Sequence, residues 1–146
     1  MESVFTISED KTKLDVTFIH TELSASYWAK NIPLSVVEKS IAHSMCFGVY
    51  ANGSQIGFAR VITDQATFAY ICDVIITENF RKQGAGKLLM TYIMNHPELQ
   101  GLRRFSLATL DAHSLYTQYG FTPLQNPDRM MEITKHGLYD GLAMTL

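Results

Sequence analysis

A chain of 146 residues, 47% hydrophobic and 18% charged, has the size and apolar content of one domain with a sizeable core, and residues 1–146 leave no room for a second. A formal charge of −2 supplies no basic field for nucleic acid, and no long Lys/Arg run or basic amphipathic helix suggests a membrane surface. No apolar run is long enough to span a bilayer, and Met1-Glu2-Ser3-Val4 lacks the basic and apolar regions of a signal peptide, so the expected location is cytoplasmic. Cys46 and Cys72 lie in apolar runs without CxxC spacing and read as two buried free thiols. His20, His43, His96, His113 and His136 show no HxxxH or His/Cys grouping, so no metal site is expected.

In chain order, Val4 to Ile7 and Leu14 to Ile19 read as extended, with Glu9-Asp10-Lys11 as the turn of an N-terminal hairpin. Leu23, Tyr27 and Trp28 have helical spacing and suggest a short helix that breaks near Asn31-Ile32-Pro33. Pro33 then suits the first turn of a second helix carrying Val36, Val37 and Ile41. Cys46 to Ala51 and Gln55 to Thr63 flank Asn52-Gly53, the strongest short hairpin signal, and Thr67 to Thr77 follows a second turn near Asp64-Gln65. A helix is expected from about Gly84 to Asn95, ended by His96-Pro97, then a strand from Phe105 to Leu110 and a helix around Ala112 to Gln118. This order predicts an α/β fold whose mixed sheet is antiparallel at first and parallel around the crossover helix. Gly137 to Leu146 is ambiguous.

The segment Arg81-Lys82-Gln83-Gly84-Ala85-Gly86-Lys87 joins the apolar strand ending at Ile76 to the helical pattern of Leu88, Leu89, Met90, Tyr92 and Ile93. A glycine-rich loop at a helix start exposes unpaired N–H groups and the positive end of the helix dipole, and Arg81, Lys82 and Lys87 add full charges. It is an anion cradle. A P-loop needs a glycine where Arg81 stands and Ser or Thr where Leu88 stands, and a dinucleotide fingerprint needs glycine at Leu89. What remains, RxxGxG between strand and helix, resembles the pyrophosphate loop of the GNAT superfamily of N-acetyltransferases, which holds acetyl-coenzyme A. A second segment, Thr109 to Phe121, is similar to that family's later motif NxxAxxLYxxxGF, matching at Ala112, Leu115, Tyr116, Gly120 and Phe121. Thr109 stands where many members carry Asn, and its hydroxyl can still donate a hydrogen bond to the pantetheine arm.

The resemblance covers roughly Phe47 to Phe121, about half the chain. It implies a GNAT-like mixed, mostly antiparallel central sheet with a parallel crossover and helices on both faces. It also implies that the strands beside the crossover helix splay apart and that Val74 and Ile76 offer backbone groups to the pantetheine arm. The implied chemistry is direct acetyl transfer from acetyl-CoA, as co-substrate, to an amine of a small molecule or peptide, with Tyr116 protonating the departing thiolate. No nucleophile elbow GxSxG occurs, consistent with direct attack. An alkylamine titrating near 10.4 must lose a proton first, which costs roughly 4.6 kcal/mol at pH 7.

Asp73 is the first candidate base, because strand alternation sets it opposite Cys72 and Val74 on a face that can line a cleft. The alternative is an aspartate paired with Arg60 on the neighbouring strand. Asp64 and Glu78 are weaker candidates. Tyr27 and Trp28 fall where such enzymes often roof the acceptor site, and the plainer account has them packing a short helix onto the sheet. Arg60 is a candidate for recognising an acidic acceptor or, equally, an ordinary ion-pair partner of Asp73 or Asp64. A non-catalytic CoA-binding sensor would keep the cradle and tolerate loss of Tyr116 and Asp73; a structural protein with an incidental glycine-rich turn would bind no coenzyme. A monomer and a homodimer are both compatible with the sequence.

Overall fold

The computed structural model describes residues 4–141. Five strands form one sheet in the order β1 (Phe5–Ser8), β2 (Met45–Ala51), β3 (Ser54–Thr63), β4 (Phe68–Ile76) and β5 (Arg104–Leu107). The first four pair antiparallel, and β4 with β5 is parallel, with Phe68 opposite Arg104 and Ile71 opposite Leu107. The expected mixed sheet is thus present, with α3 (Ala85–Met94) as the crossover between β4 and β5.

The N-terminal hairpin is not formed. Asp15 accepts a hydrogen bond from Phe18 N at 3.0 Å, so the apolar run that reads as a strand instead starts α1 (Val16–Ser24), burying Ile19 and Leu23. The cap outweighs the strand-like composition of the run. The short helix expected at Leu23, Tyr27 and Trp28 is displaced accordingly: α1 stops at Ser24, and both aromatics lie in the loop before α2 (Leu34–Ala42), whose N-cap is Pro33. The Asn52-Gly53 turn has φ of 53° and 82°, the two left-handed residues of a type I′ hairpin. The last strand is shorter than expected, ending at Leu107, and α4 is a five-residue turn of helix, His113–Thr117. Of the tail, 137–141 carries no regular element and 142–146 lies outside the described residues.

Two cores sandwich the sheet. On one face Phe47, Val49, Ala59, Val61, Ala69 and Ile71 meet Leu89, Met90 and Ile93 of α3 and Tyr116 of α4. On the other, Cys46, Phe58 and Ile75 meet Ile19, Leu23, Val37 and Ile41 of α1 and α2. Helices therefore cover both faces.

β4 changes phase partway along. Its register with β3 passes from Arg60 opposite Cys72 to Phe58 opposite Ile75, so three steps on β4 match two on β3 and one residue is extra. Asp73, with φ of 54°, sits in that bulge. Before it Ala69 and Ile71 face α3; after it Val74 and Ile76 pack on that core and Ile75 turns to the α1/α2 face.

Because α3 supplies the buried wall of the first core, Leu89→Ala should lower unfolding stability by about 2–5 kcal/mol in urea titration, with the m-value unchanged.

Candidate active site at the β4–β5 cleft

The parallel pairing of β4 and β5 stops at Ile71 and Leu107, leaving residues 72–76 without a strand neighbour on that edge. Backbone groups alternate between the two edges of a strand. Thr77 N donates to Ile56 O on β3 at 2.8 Å, so Ile76 addresses the open edge, and its carbonyl indeed accepts from Arg81 Nε at 2.8 Å. By the same alternation Val74 also addresses that edge. The resemblance implies a free backbone at Ile76, and the loop sequence implies a charge from Arg81 at the cradle. The structure joins the two through the Ile76 carbonyl, where the loop doubles back across the end of β4.

A cleft of about 460 Å³ opens at this edge. It gathers Tyr27, Trp28, Asp73, Val74, Thr109 and Tyr116, residues widely separated in sequence, with Tyr70, Cys72, Leu107 and Asp111. A cavity of about 400 Å³ lies on the far side of β5, among Arg103, Arg104 and residues 119–130, and holds none of these groups.

Asp73 does not follow simple alternation. It bonds Arg60, which faces Cys72 across the strands, so Cys72 and Asp73 are consecutive residues on one face, as a bulge produces. Arg60 Nε reaches Asp73 Oδ2 at 2.9 Å and Trp28 Nε1 reaches Oδ1 at 2.9 Å. Arg60 Nη1 also donates to Ser44 Oγ at 2.9 Å, which in turn donates to Ser40 O at 2.7 Å on α2. The ion pair is well covered, with side-chain exposures of 16% and 10%. The Arg60–Asp73 ion pair, the alternative reading of both residues, is formed. Ser44 was missed, since nothing in its local pattern marks it.

Tyr27 and Trp28 are 65% and 48% exposed and stack edge to face at 5.0 Å. They wall the cleft and do not pack a helix, in contrast to the plainer account. Asp64 is excluded as a base by its job: it accepts from Ala66 N, Thr67 N, Thr67 Oγ1 and Phe68 N, which hold its carboxyl far below the usual carboxylate range and close the β3–β4 turn.

Tyr116 is buried against Phe121, and burial, followed by the nearby Tyr27 and Asp111, pushes its hydroxyl above the ordinary phenol value. Thr109 Oγ1 accepts from Ala112 N at 3.0 Å, capping the turn into α4 while keeping its own O–H to donate. Cys46 is buried, whereas Cys72 is half-buried and lines the cleft; burial pushes their thiols up to about 11 and about 12.

The cradle opens after a single turn of 3₁₀ helix, Glu78–Phe80. Lys82 and Gly84 take φ of 63° and 90°, and Gly84 is the N-cap of α3. The helix's backbone bonding begins with Leu88 N to Gly84 O at 3.0 Å, so the N–H groups of Ala85, Gly86 and Lys87 leave the helix end unused. A side chain at Gly86 would first meet Leu115 of α4, at 4.0 Å. Tyr119 binds this turn to the end of α4: its hydroxyl donates to Lys87 O at 2.9 Å and lies 2.9 Å from Thr91 Oγ1.

A model of the acetyltransferase (GNAT) family matches residues 13–121. The chain belongs to the GNAT acetyltransferases. A GNAT-family protein from Xanthomonas campestris pv. campestris, described as a candidate acetyltransferase, is 50% identical and superimposes with a TM-score of 0.93 over 96% of this chain and 99% of that one. FG08082 of Gibberella zeae, likewise named as a candidate acetyltransferase, is 32% identical over 135 residues, which span 77% of this chain and 75% of that protein. A GNAT acetyltransferase from Elizabethkingia anophelis, solved with acetyl-CoA bound, shares the fold at 16% identity and a TM-score of 0.65, covering 93% and 92% of the two chains.

Two outcomes are expected of this acetyltransferase. Arg60→Met strands the covered Asp73 carboxylate and should cost about 3 kcal/mol of stability, much of it recovered when Asp73→Asn is added; a double-mutant cycle by urea denaturation measures the coupling. With thiols at about 11 and about 12, both cysteines should alkylate with iodoacetamide at pH 8 at less than about a hundredth of a free thiol's rate, rising tenfold per pH unit, as mass spectrometry can follow.

Proposed function

We propose that this enzyme moves the acetyl group of acetyl-CoA directly to an amine of a small molecule or peptide bound in the β4–β5 cleft. The observation that carries the reading is a coincidence of place. The edge of β4 at Val74, which has no strand partner among the described residues, the hydroxyls of Thr109 and Tyr116 and the Asp73 carboxylate share one opening, and the strand that forms its wall runs on through Ile76 into the loop at Arg81–Lys87.

In this reading the N–H groups of Ala85, Gly86 and Lys87, together with Lys82 and Lys87, hold the pyrophosphate, while Arg81 locks the loop to Ile76 O. Val74 and the N–H of Ile76, whose carbonyl already holds Arg81, pair with the amides of the pantetheine arm, and the Thr109 hydroxyl donates to it. The acceptor enters between Tyr27, Trp28 and Asp73. Its ammonium gives one proton to Asp73, whose two oxygens each accept one hydrogen bond and keep further lone pairs. The freed lone pair attacks the thioester carbonyl carbon, the C–N bond forms, the C–S bond breaks, and the thiolate takes the Tyr116 proton. The second proton leaves the nitrogen as the amide forms and returns through solvent to the Tyr116 phenolate, while Asp73 releases its proton to water, so that the side chains are restored and one proton is freed overall. A phenol held above its ordinary value is still protonated at neutral pH, as a donor must be. Transfer through an acetyl-cysteine is disfavoured, because the one thiol in the cleft, Cys72, is pushed up to about 12.

Tyr116→Phe should lower kcat about a hundredfold in a thiol-release assay while changing acetyl-CoA affinity less than about threefold; equal loss of both would assign Tyr116 to packing. Gly86→Asp, which has room for its side chain, should weaken acetyl-CoA binding by calorimetry at least about tenfold with unchanged thermal unfolding, because a carboxylate then faces the pyrophosphate. Unchanged affinity would overturn the cradle assignment.

A further inference from the structure

The charges of the cleft are unequally disposed. Among the described residues lining it, none is Lys, Arg or His. The one guanidinium near it, Arg60, is committed: Asp73 takes its Nε and Ser44 its Nη1, and it is 16% exposed. Among the described residues lining the cleft, no cation is left to meet a carboxylate on the acceptor. The free charge of the wall is instead Asp111, exposed on the turn that leads into α4 and close enough to act on the Tyr116 hydroxyl. A further carboxylate, Glu132 from the segment after α4, acts on Tyr70 at the same opening. The same cleft is lined by Tyr27 and Trp28, which are substantially exposed and whose π clouds attract cations and offer an anion nothing.

We propose that the acceptor is a doubly cationic amine: one ammonium is the reacting group at Asp73, and a second positive charge, on an unbranched apolar spacer, is held by Asp111 against the Tyr27–Trp28 pair. Diamines, polyamines and side chains ending in a second cation have this form; amino acids that present a carboxylate near the amine do not. This substrate class rests on the reading of the cleft as the acceptor site. It also replaces the possibility that Arg60 recognises an acidic acceptor.

The test uses three probes of similar length that differ in the charge at the far end: 1,5-diaminopentane, 1-aminopentane and 6-aminohexanoate. Trp28 is the single tryptophan of the chain, so its fluorescence reports occupancy of the cleft independently of turnover. Titrated into the intact protein saturated with coenzyme A, the diamine should bind about tenfold more tightly than the monoamine, and the amino acid more weakly still. Asp111→Asn should bring the ratio of diamine to monoamine affinity close to one, and added salt should narrow it, since Asp111 is exposed. Equal binding of the three, preference for 6-aminohexanoate, a ratio insensitive to Asp111→Asn, or no saturable change with any probe would each overturn the inference. Thiol release with acetyl-CoA is measured on the same samples. Binding in the expected order without thiol release would overturn the catalytic reading and leave the cation site standing, whereas release with 6-aminohexanoate as efficient as with the diamine would keep the catalytic reading and overturn the substrate class.

Discussion

The extra residue in β4, and the ion pair that holds it, is the constraint on which the site depends. A regular β4 would keep one set of side chains on the α3 face along its whole length. The bulge at Asp73 exchanges the faces, and beyond it β4 has no strand partner on the β5 side among the described residues. An aspartate in the left-handed region is strained by roughly 1–2 kcal/mol. The hydrogen bonds from Arg60 and Trp28 offset that strain with charge-assisted contacts on a largely covered carboxylate. The same bonds reach the loop after α1 through Trp28 and the end of α2 through Ser44, so the Trp28 side of the cleft and the bulge are set by one network.

The two ends of the site have opposite character. At the cradle, basic side chains and unused N–H groups face the approach of an anion. At the cleft, the side chains are aromatic, hydroxyl and carboxylate, and the only nearby guanidinium is spent on Asp73. A chain with a formal charge of −2 thereby carries a basic helix start and an acidic, aromatic cleft in the same molecule.

Much of this was legible in the sequence because the signals are local. Asn52-Gly53 demands two left-handed residues and marks its hairpin; Pro33 starts α2; the glycines and basic residues from 81 to 87 describe the end of a helix whether or not the rest of the fold is known. What was misread depended on competition or on distance. Leu14 to Ile19 has the composition of a strand, and the Asp15 cap decides otherwise. Asp73 was found as a residue and misplaced as a geometry, because period-two alternation assumes an unbroken ladder and a bulge is invisible until β3 lies beside β4. Arg60 was left between two roles, and only the three-dimensional proximity of Asp73 and Ser44 separates them. Tyr70 and Asp111 were missed for the same reason, though Tyr70 shares the strand parity of Cys72 and Asp111 lies inside the Thr109–Phe121 motif.

The Tyr119 hydroxyl, which touches both Lys87 O and Thr91 Oγ1, makes α3 and the chain after α4 a single braced unit. An acyl carrier with phosphates at one end and a thioester at the other is a ruler of fixed reach. An enzyme that grips the phosphate end must therefore present its proton donor at one set separation from that grip, and small errors of placement are costly to rate. Tyr119 sits three residues beyond Tyr116 and fastens that stretch to the first turn of α3, so the separation between Tyr116 and the start of α3 is held by the hydrogen bonds of one phenol.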